Sequence, residues 1–457
     1  MARFGRLTDA PASFLLTGAR IIDPSSGTDA VADLTVVDGV VVAPADAPSG
    51  LPRRDGDGLV VAPGFCDLHT HLRQPGGEAG ETVESGARAA AHGGFTMICA
   101  MPNTDPPLDD AARAAFVSSL GREAACAVRV IGAVTRGRLG ERLTDLAELA
   151  DAGVVGVSDD GSAVSSAALV RSALTYLAPL GLPLIEHCEE PSLAAGAVMR
   201  AGATATRLGL GGWPASAELT IVERDIALAE ETGGWVHLTH LSTAVSLDAV
   251  RRAKARGIHV TCDVTPHHLA LTDAWVAGDR HFAWEEPAAS SFSGALDPAL
   301  AYDGCCRVNP PLASRADTLA LLAGVADGTI DAIATDHAPH PVERKLVEFG
   351  AASPGMIGLE TALSLGLAAV EAGCLTLAQL VAALSVRPAA LIGEEHSLAA
   401  GARADLVVFA PALRWTVDEE TLASRSTNTP LLGRELPGVV RLTVAGGRIT
   451  YDLDARG

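Results

Sequence analysis

The sequence predicts an α/β protein: a (β/α)8, TIM-type barrel with a small β-sandwich domain built by both chain ends. Three observations predict it. Apolar β-type runs alternate with Ala/Leu-rich helical stretches through the middle of the chain, which is the pattern of βαβ units and a parallel sheet. Eight such runs begin at residues 61, 95, 128, 154, 184, 235, 259 and 330. Histidines and aspartates gather just past the ends of these runs, as on the face where barrels carry their sites. A doubly wound sheet is the alternative, but no Gly-X-Gly-X-X-Gly turn follows the first run.

In chain order, residues 13–60 hold short apolar runs (Phe14-Leu15-Leu16, Leu34-Thr35-Val36-Val37, Val40-Val41-Val42) punctuated by Gly18, Gly27 and Gly39. They read as a small β unit. The run from Val61 to Arg73 reads as a buried strand that starts after a Pro63-Gly64 turn and ends in His69 and His71. The pattern repeats at Phe95-Thr96-Met97-Ile98-Cys99, Val128-Arg129-Val130-Ile131, Val154-Val155-Gly156-Val157, Leu184-Ile185, Trp235-Val236-His237-Leu238, His259-Val260-Thr261-Cys262 and Ile330-Asp331-Ala332-Ile333. Between Thr272 and Arg307 it breaks, with Trp275, Trp284, Pro287 and Tyr302 in an irregular segment read as an insertion near the site. Asp405-Leu406-Val407-Val408-Phe409 and the run from Val439 to Val444 read as strands, with Gly446-Gly447 as a turn. Residues 1–62 and 395–457 are therefore expected to form the small β domain, and 63–394 the barrel.

Composition narrows the function. With 48% hydrophobic and 19% charged residues the chain is globular. A net charge of −21 argues against a nucleic-acid partner. No apolar run is long enough to span a bilayer, and residues 1–12 lack a signal pattern, so a cytoplasmic protein is expected. The eight cysteines include no Cys-X-X-Cys pair and read as buried free thiols, Cys305-Cys306 excepted because it lies in a loop-like region. Lysine is scarce: only Lys254 and Lys345 occur.

Successive strand side chains face opposite ways, so His69 and His71 face the same way and can grip one metal ion. Alone, such a pair is more often an ordinary hydrogen-bonded one. Its company changes that. Ser158-Asp159-Asp160-Gly161, Glu186-His187-Cys188-Glu189, Thr239-His240 and Thr335-Asp336-His337 each follow a strand-like run. Together they bring four histidines and two carboxylates to one barrel mouth. That set exceeds the needs of one tetrahedral zinc, so a site for two divalent ions sharing a carboxylate and a hydroxide is the leading reading.

The strings Pro63-Gly64-Phe65-Cys66-Asp67-Leu68-His69-Thr70-His71-Leu72-Arg73, Met101-Pro102-Asn103-Thr104, Ser158-Asp159-Asp160-Gly161, His187-Cys188-Glu189, Cys262-Asp263-Val264-Thr265-Pro266-His267-His268, Asn309-Pro310-Pro311-Leu312 and Asp336-His337-Ala338-Pro339-His340 resemble the cyclic amidohydrolases. More narrowly they resemble the type I dihydroorotases, which interconvert N-carbamoyl-L-aspartate and dihydroorotate in pyrimidine biosynthesis. The resemblance implies two Zn2+ per chain. His69, His71, Asp160 and Asp336 would hold one, and Asp160, His187 and His240 the other. Asp160 would bridge them, with Asp159 as the fallback. Asp336 would be the general acid/base beside a metal-bridged hydroxide. Arg73, Asn103, Asn309, His340 and the Pro354-Gly355 pair would contact substrate. Arg73 follows His71 by two residues, on the same face if the strand continues. Hydantoinase-like relatives bridge their metals with a carboxylated lysine after the fourth strand, and neither lysine lies near residues 154–161.

Beyond the metal ligands, Pro266-His267-His268 reads as support behind the ligands or as structural, and Glu186 and Glu189 as supports for His187. Gln74, and Ala313-Ser314 ahead of Arg315, depart from the usual family pattern. Two alternatives stand beside the dihydroorotase reading: an allantoinase- or hydantoinase-like hydrolase, and a silent scaffold for aspartate transcarbamoylase. A homo-oligomer and a transcarbamoylase complex are the partner expectations beyond the small-molecule substrate.

Overall fold

The computed structural model describes residues 10–285 and 299–455. Both ends of the chain enter one eight-stranded sheet. Its order is Arg448–Asp452, Glu435–Ala445, Leu406–Thr416, Val60–Pro63, Phe14–Asp23, Thr28–Val37 and Val40–Val42, with Arg53–Asp55 also paired to Phe14–Asp23. Local chemistry explains its tight corners. Val37 pairs with Val40 across Asp38 and Gly39, both at positive φ (48° and 79°), the backbone that a two-residue hairpin requires. Gly446 and Gly447, at 59° and 75°, turn the chain between Ala445 and Arg448 in the same way. Phe14, Leu16, Val36, Leu406, Leu442 and Val444 of the sheet pack into one cluster, while Ile22, Val60, Ala62, Val407 and Phe409 join the core of the rest of the chain.

The middle of the chain supplies parallel strands. Phe65–Thr70, Phe95–Ala100 and Ala127–Val130 pair in that order. Leu184–His187, Val236–Thr239, Val260–Val264 and Ala332–Ile333 pair in theirs. Single parallel bridges join the two groups, from Gly132 to Val157 to Leu184 on one side and from Thr70 to His337 on the other.

Two expectations need correction. The run at 154–157 forms no extended strand and contributes only the Val157 bridges. The run counted from Val61 is two strands, parted at the Pro63-Gly64 turn after which the central strand was expected to start. Val60–Pro63 belongs to the terminal sheet, paired with Leu406–Thr416 and Phe14–Asp23, and the first central strand starts at Phe65. Gly64 is the hinge between them. A Cβ there would lie 2.2 Å from the Thr96 side chain, so only glycine lets the chain pass that close.

Helices between the strands begin on side-chain caps: Thr82, with Ser85 completing a capping box, then Thr243 and Ser314. The irregular segment is packed where it is described. Trp275 and Phe282 are buried with their rings 5.8 Å apart, and Arg280 donates to the carbonyls of Trp275 and Leu300. Residues 286–298 of that predicted insertion lie outside the described residues. All eight cysteines are free, with Cys305 and Cys374 half-buried and the others buried.

Candidate metal centre and substrate pocket

The strand ends carry the site. His69 lies at the end of Phe65–Thr70, His71 one residue past it, His187 at the end of Leu184–His187, and His240 one past Val236–Thr239. Asp160 and Asp336 follow the Val157 bridge and Ala332–Ile333. All six are buried.

Asp160 is the centre of this group. Its Oδ2 faces the first imidazole pair, 3.4 Å from His69 Nε2 and 3.5 Å from His71 Nε2. Its Oδ1 faces the second, 3.4 Å from His187 Nδ1 and 3.5 Å from His240 Nε2. Two triads that could each hold a metal ion result: His69, His71 and Asp160; then Asp160, His187 and His240. Asp336 stands against the first triad, its Oδ1 2.9 Å from His71 Nε2 and 3.6 Å from His69 Nε2. Asp159 points elsewhere, accepting from the Thr135 N–H at 3.0 Å and from the Thr135 hydroxyl.

The outer hydrogen bonds set which imidazole nitrogen faces inward. Thr239 donates its hydroxyl to Asp263 (3.0 Å), so its oxygen accepts from His69 Nδ1 at 2.7 Å. His71 Nδ1 donates to the Asn103 side-chain carbonyl at 2.8 Å, and His187 Nε2 to Glu189 at 3.0 Å. Each ring thus turns its other nitrogen toward Asp160, the arrangement common around metal-binding histidines. Asp263 also accepts the His240 backbone N–H at 2.6 Å, tying ligands of both triads to one carboxylate.

Do these groups fit a cation? Two observations say so. His69 Nε2 and Asp160 Oδ1 are buried with no hydrogen-bond partner, which is costly unless something else satisfies them. Burial opposes charge at His69, yet Asp160 outweighs it and lifts the imidazole to about 9. His187 rises to about 10 in the same way, through Asp160 and Glu189. Burial likewise raises the Asp160 carboxyl, but His69, His187 and His240 hold it well below the ordinary carboxylate range. A site that draws protons onto its imidazoles this strongly offers the same carboxylate field to a metal, which displaces those protons.

Beside the triads lies a cavity of about 240 Å3. Arg73, Asn103, Asn309, His340, Pro354 and Gly355 all line it, together with His71, Asp160, His187, His240, Asp336 and Ser353. Arg73 arrives by a different route from the one expected. The strand ends at Thr70, and Arg73 has a φ of +58°, so a left-handed turn rather than strand alternation aims it inward. His240 (39°) and Asp336 (46°) share that conformation, which is uncommon for non-glycine residues and recurs at functional sites as well as in turns. Burial lowers the Arg73 guanidinium to about 10 and, with Arg73 adding to it, the His340 imidazole to about 3. His340 is therefore neutral and donates Nε2–H to the Pro354 carbonyl at 2.8 Å. Gly355 has a φ of +127°, and a Cβ there would lie 2.6 Å from that of Ala338.

Several neighbours have other roles. Glu186 accepts the Val164 N–H at 2.9 Å and does not touch His187; Glu189 does. His268 is tied to Thr265 and to the Pro310 carbonyl, a structural role as expected, while His267 Nε2 is buried without a partner. Thr239 and Asp263 were not singled out from sequence. Their signal was position: each sits at or near a strand end within a quoted string.

Over residues 58–246 the chain matches a family described as dihydro-orotase-like, and over residues 362–451 the amidohydrolase family. The dihydroorotase of Pelobacter propionicus is 44% identical over 444 residues, covering 96% of this chain and 99% of its own. That of Anaeromyxobacter sp. strain K is 47% identical over 442 residues, covering 96% and 97%. Among solved structures, the L-hydantoinase of Arthrobacter aurescens aligns with a TM-score of 0.79 at 24% identity over 96% of both chains. The dihydropyrimidinase of Brevibacillus agri aligns at 0.78 with 20% identity, over 96% of this chain and 95% of its own. The likeness to these structures gives the fold alone, a mixed α/β architecture of the TIM-barrel type.

Proposed function

The chain belongs to the dihydroorotase family, and on that footing we propose which residues do what in its reaction. It interconverts N-carbamoyl-L-aspartate and (S)-dihydroorotate plus water, a step of de novo pyrimidine biosynthesis. The observation that carries the assignment is Asp160, whose two oxygens face two different imidazole pairs at the floor of an arginine-bearing cavity.

His69, His71, Asp160 and Asp336 would hold one Zn2+, and Asp160, His187 and His240 the second, with Asp160 shared. Bound there, the metal supplies Lewis acidity that activates water at neutral pH and polarises the ring carbonyl. The protein groups do the rest. Arg73 takes the substrate carboxylate, a planar fork matched to a planar acid. Asn103, Asn309, neutral His340 and the backbone at Pro354 and Gly355 hold the ring. In hydrolysis, water adds to the ring amide carbon and the carbon–nitrogen bond breaks. Asp336 takes the water's proton and returns it to the departing nitrogen. Ring closure runs the same proton path in reverse and releases water.

The architecture is read alongside. The parallel strands and the three bridges that link their two groups support a closed (β/α)8 barrel over residues 63–394. The terminal sheet, with an apolar cluster of its own on strands from both chain ends, supports a small sandwich from 1–62 and 395–457. No helix among the described residues is long and apolar enough to cross a membrane; a cytoplasmic home remains a proposal, open to cell fractionation. A homo-oligomer and a complex with aspartate transcarbamoylase are proposals too, tested by light scattering of the chain alone and mixed with that enzyme.

The deciding experiment is dihydroorotate hydrolysis followed by ring absorbance, with metal content measured on the same sample. Turnover with close to two zinc ions per chain is expected. Bound metal with turnover of hydantoin or allantoin instead would favour the hydantoinase-like reading. Against that reading, Lys254 is tied to Asp331 and the Thr329 carbonyl, and Lys345 is surrounded by carbonyls, so neither reaches Asp160.

A further inference from the structure

The chain's second lysine is buried, and the reaction as assigned above does not use it. Lys345 is 3% exposed. Its Nζ donates to three main-chain carbonyls: Ser353 at 2.6 Å, Gly355 at 2.8 Å and Arg307 at 3.3 Å. An ammonium has three N–H donors, and here each has one carbonyl. Among the described residues no carboxylate stands within ion-pair distance of it. Burying a charge on carbonyls alone is costly, and burial lowers this amine to about 8.

The three carbonyls belong to two segments of the substrate cavity's wall. Ser353, Pro354 and Gly355 line the cavity, and Arg307 lies two residues before Asn309, which also lines it. The segments are laced together around the ammonium. Gly355 N–H donates to the Arg307 carbonyl at 2.9 Å, and Ser353 N–H to the Arg344 carbonyl at 3.0 Å. On the far side Asn428 Nδ2 donates to the carbonyls of Gly355 (3.1 Å) and Ala338 (3.0 Å). Among the described residues, no other side chain bonds residues 307, 353 and 355 at once.

We propose that Lys345 is a positioning residue of the substrate pocket, whose ammonium clamps the backbone at 353–355 against Arg307 and so shapes the wall that holds the substrate ring. The role rests on the reading of this cavity as the dihydroorotate site. Lys345 touches neither the metal triads nor Asp336, so its loss acts on binding before chemistry. Deleting the charged donor takes the lysine bond from all three carbonyls: Arg307 keeps only the Gly355 N–H, Gly355 keeps only Asn428, and Ser353 loses its ammonium partner, so the loop relaxes to satisfy them.

The test is steady-state kinetics of zinc-loaded Lys345→Met and Lys345→Ala with dihydroorotate, with metal content and circular dichroism on each. KM is expected to rise about tenfold or more, the scale of a lost charge-assisted hydrogen-bond set, while kcat changes less than about threefold and metal content is unchanged. Added n-propylammonium should lower the KM of Lys345→Ala and leave that of Lys345→Met unchanged, because only the alanine variant leaves room for it. An unchanged KM in a folded, metal-loaded variant overturns the proposal, as does an equal loss in kcat alone. If neither variant folds, Gly355→Ala decides: its Cβ would displace the same wall with Lys345 intact, and an unchanged KM there also overturns it. Absence of dihydroorotate turnover in the parent chain is a different outcome and would sink the substrate assignment instead.

Discussion

At the scale of single residues, the site is a problem in placing charge. Asp160 faces four imidazoles and Asp336 faces two of them, so removing one carboxylate does not have the same effect as removing the other. Asp336→Ala deletes the proposed proton carrier but leaves both triads complete. We expect kcat to fall by at least about a thousandfold, within the range of general acid/base catalysis, with most of the metal retained. Near-normal turnover by the variant would remove Asp336 from the proton path. His267 makes a different prediction. Burial lowers its imidazole to about 4, against the partial opposition of Asp336, while an unfolded chain would titrate it near 6.5. Between those values the unfolded state holds more protons, so this residue's contribution to stability is lost as the pH falls from about 6.5 toward 4. The Tm advantage of the parent over His267→Gln should therefore shrink across that window. A gap that stays constant would mean that His267 does not remain neutral when folded.

At the scale of elements, strand ends and the turns beyond them aim the chemistry. The hairpins at Asp38-Gly39 and Gly446-Gly447 were foreseeable as turns, because their residues tolerate positive φ. The approach of Arg73 was not. Its direction depends on a left-handed residue past the strand end, and an arginine gives no local hint of that. The turn at Pro63-Gly64 was legible, but the sheet that each side joins was not, since Val60–Pro63 and Phe65–Thr70 are equally buried and differ only in which sheet claims them. The hinge gives a direct test. Gly64→Ala drives a methyl into Thr96, and an overpacked core of this kind costs about 1–3 kcal/mol. Urea unfolding should show the midpoint falling with little change in slope. A variant as stable as the parent would show that the two sheets can part there.

At the scale of the whole molecule, the proposed metal centre would draw its ligands from five places along the chain, spanning residues 69 to 336, so a bound cation would tie distant strands together. Removing it with a chelator should lower the Tm, and restoring zinc should raise it again with a dependence on zinc concentration, because a ligand that binds only the folded state stabilises by mass action. A Tm indifferent to chelator would mean that the triads do not hold metal in the folded protein. The sequence by itself determined the kind of fold and the residues proposed for the site, since hydrophobic periodicity and the residues after each strand are local properties that a single chain displays. It also made an aspartate the expected bridging carboxylate, through the absence of any lysine near residue 160. Only the tertiary structure decided which oxygen of Asp160 faces which pair, that Asp159 turns to Thr135, that Asp263 braces both triads, and that Lys345 lies behind the substrate wall. These are relations between residues far apart in sequence. They arise when packing brings strand ends together and every buried donor and acceptor must find a partner.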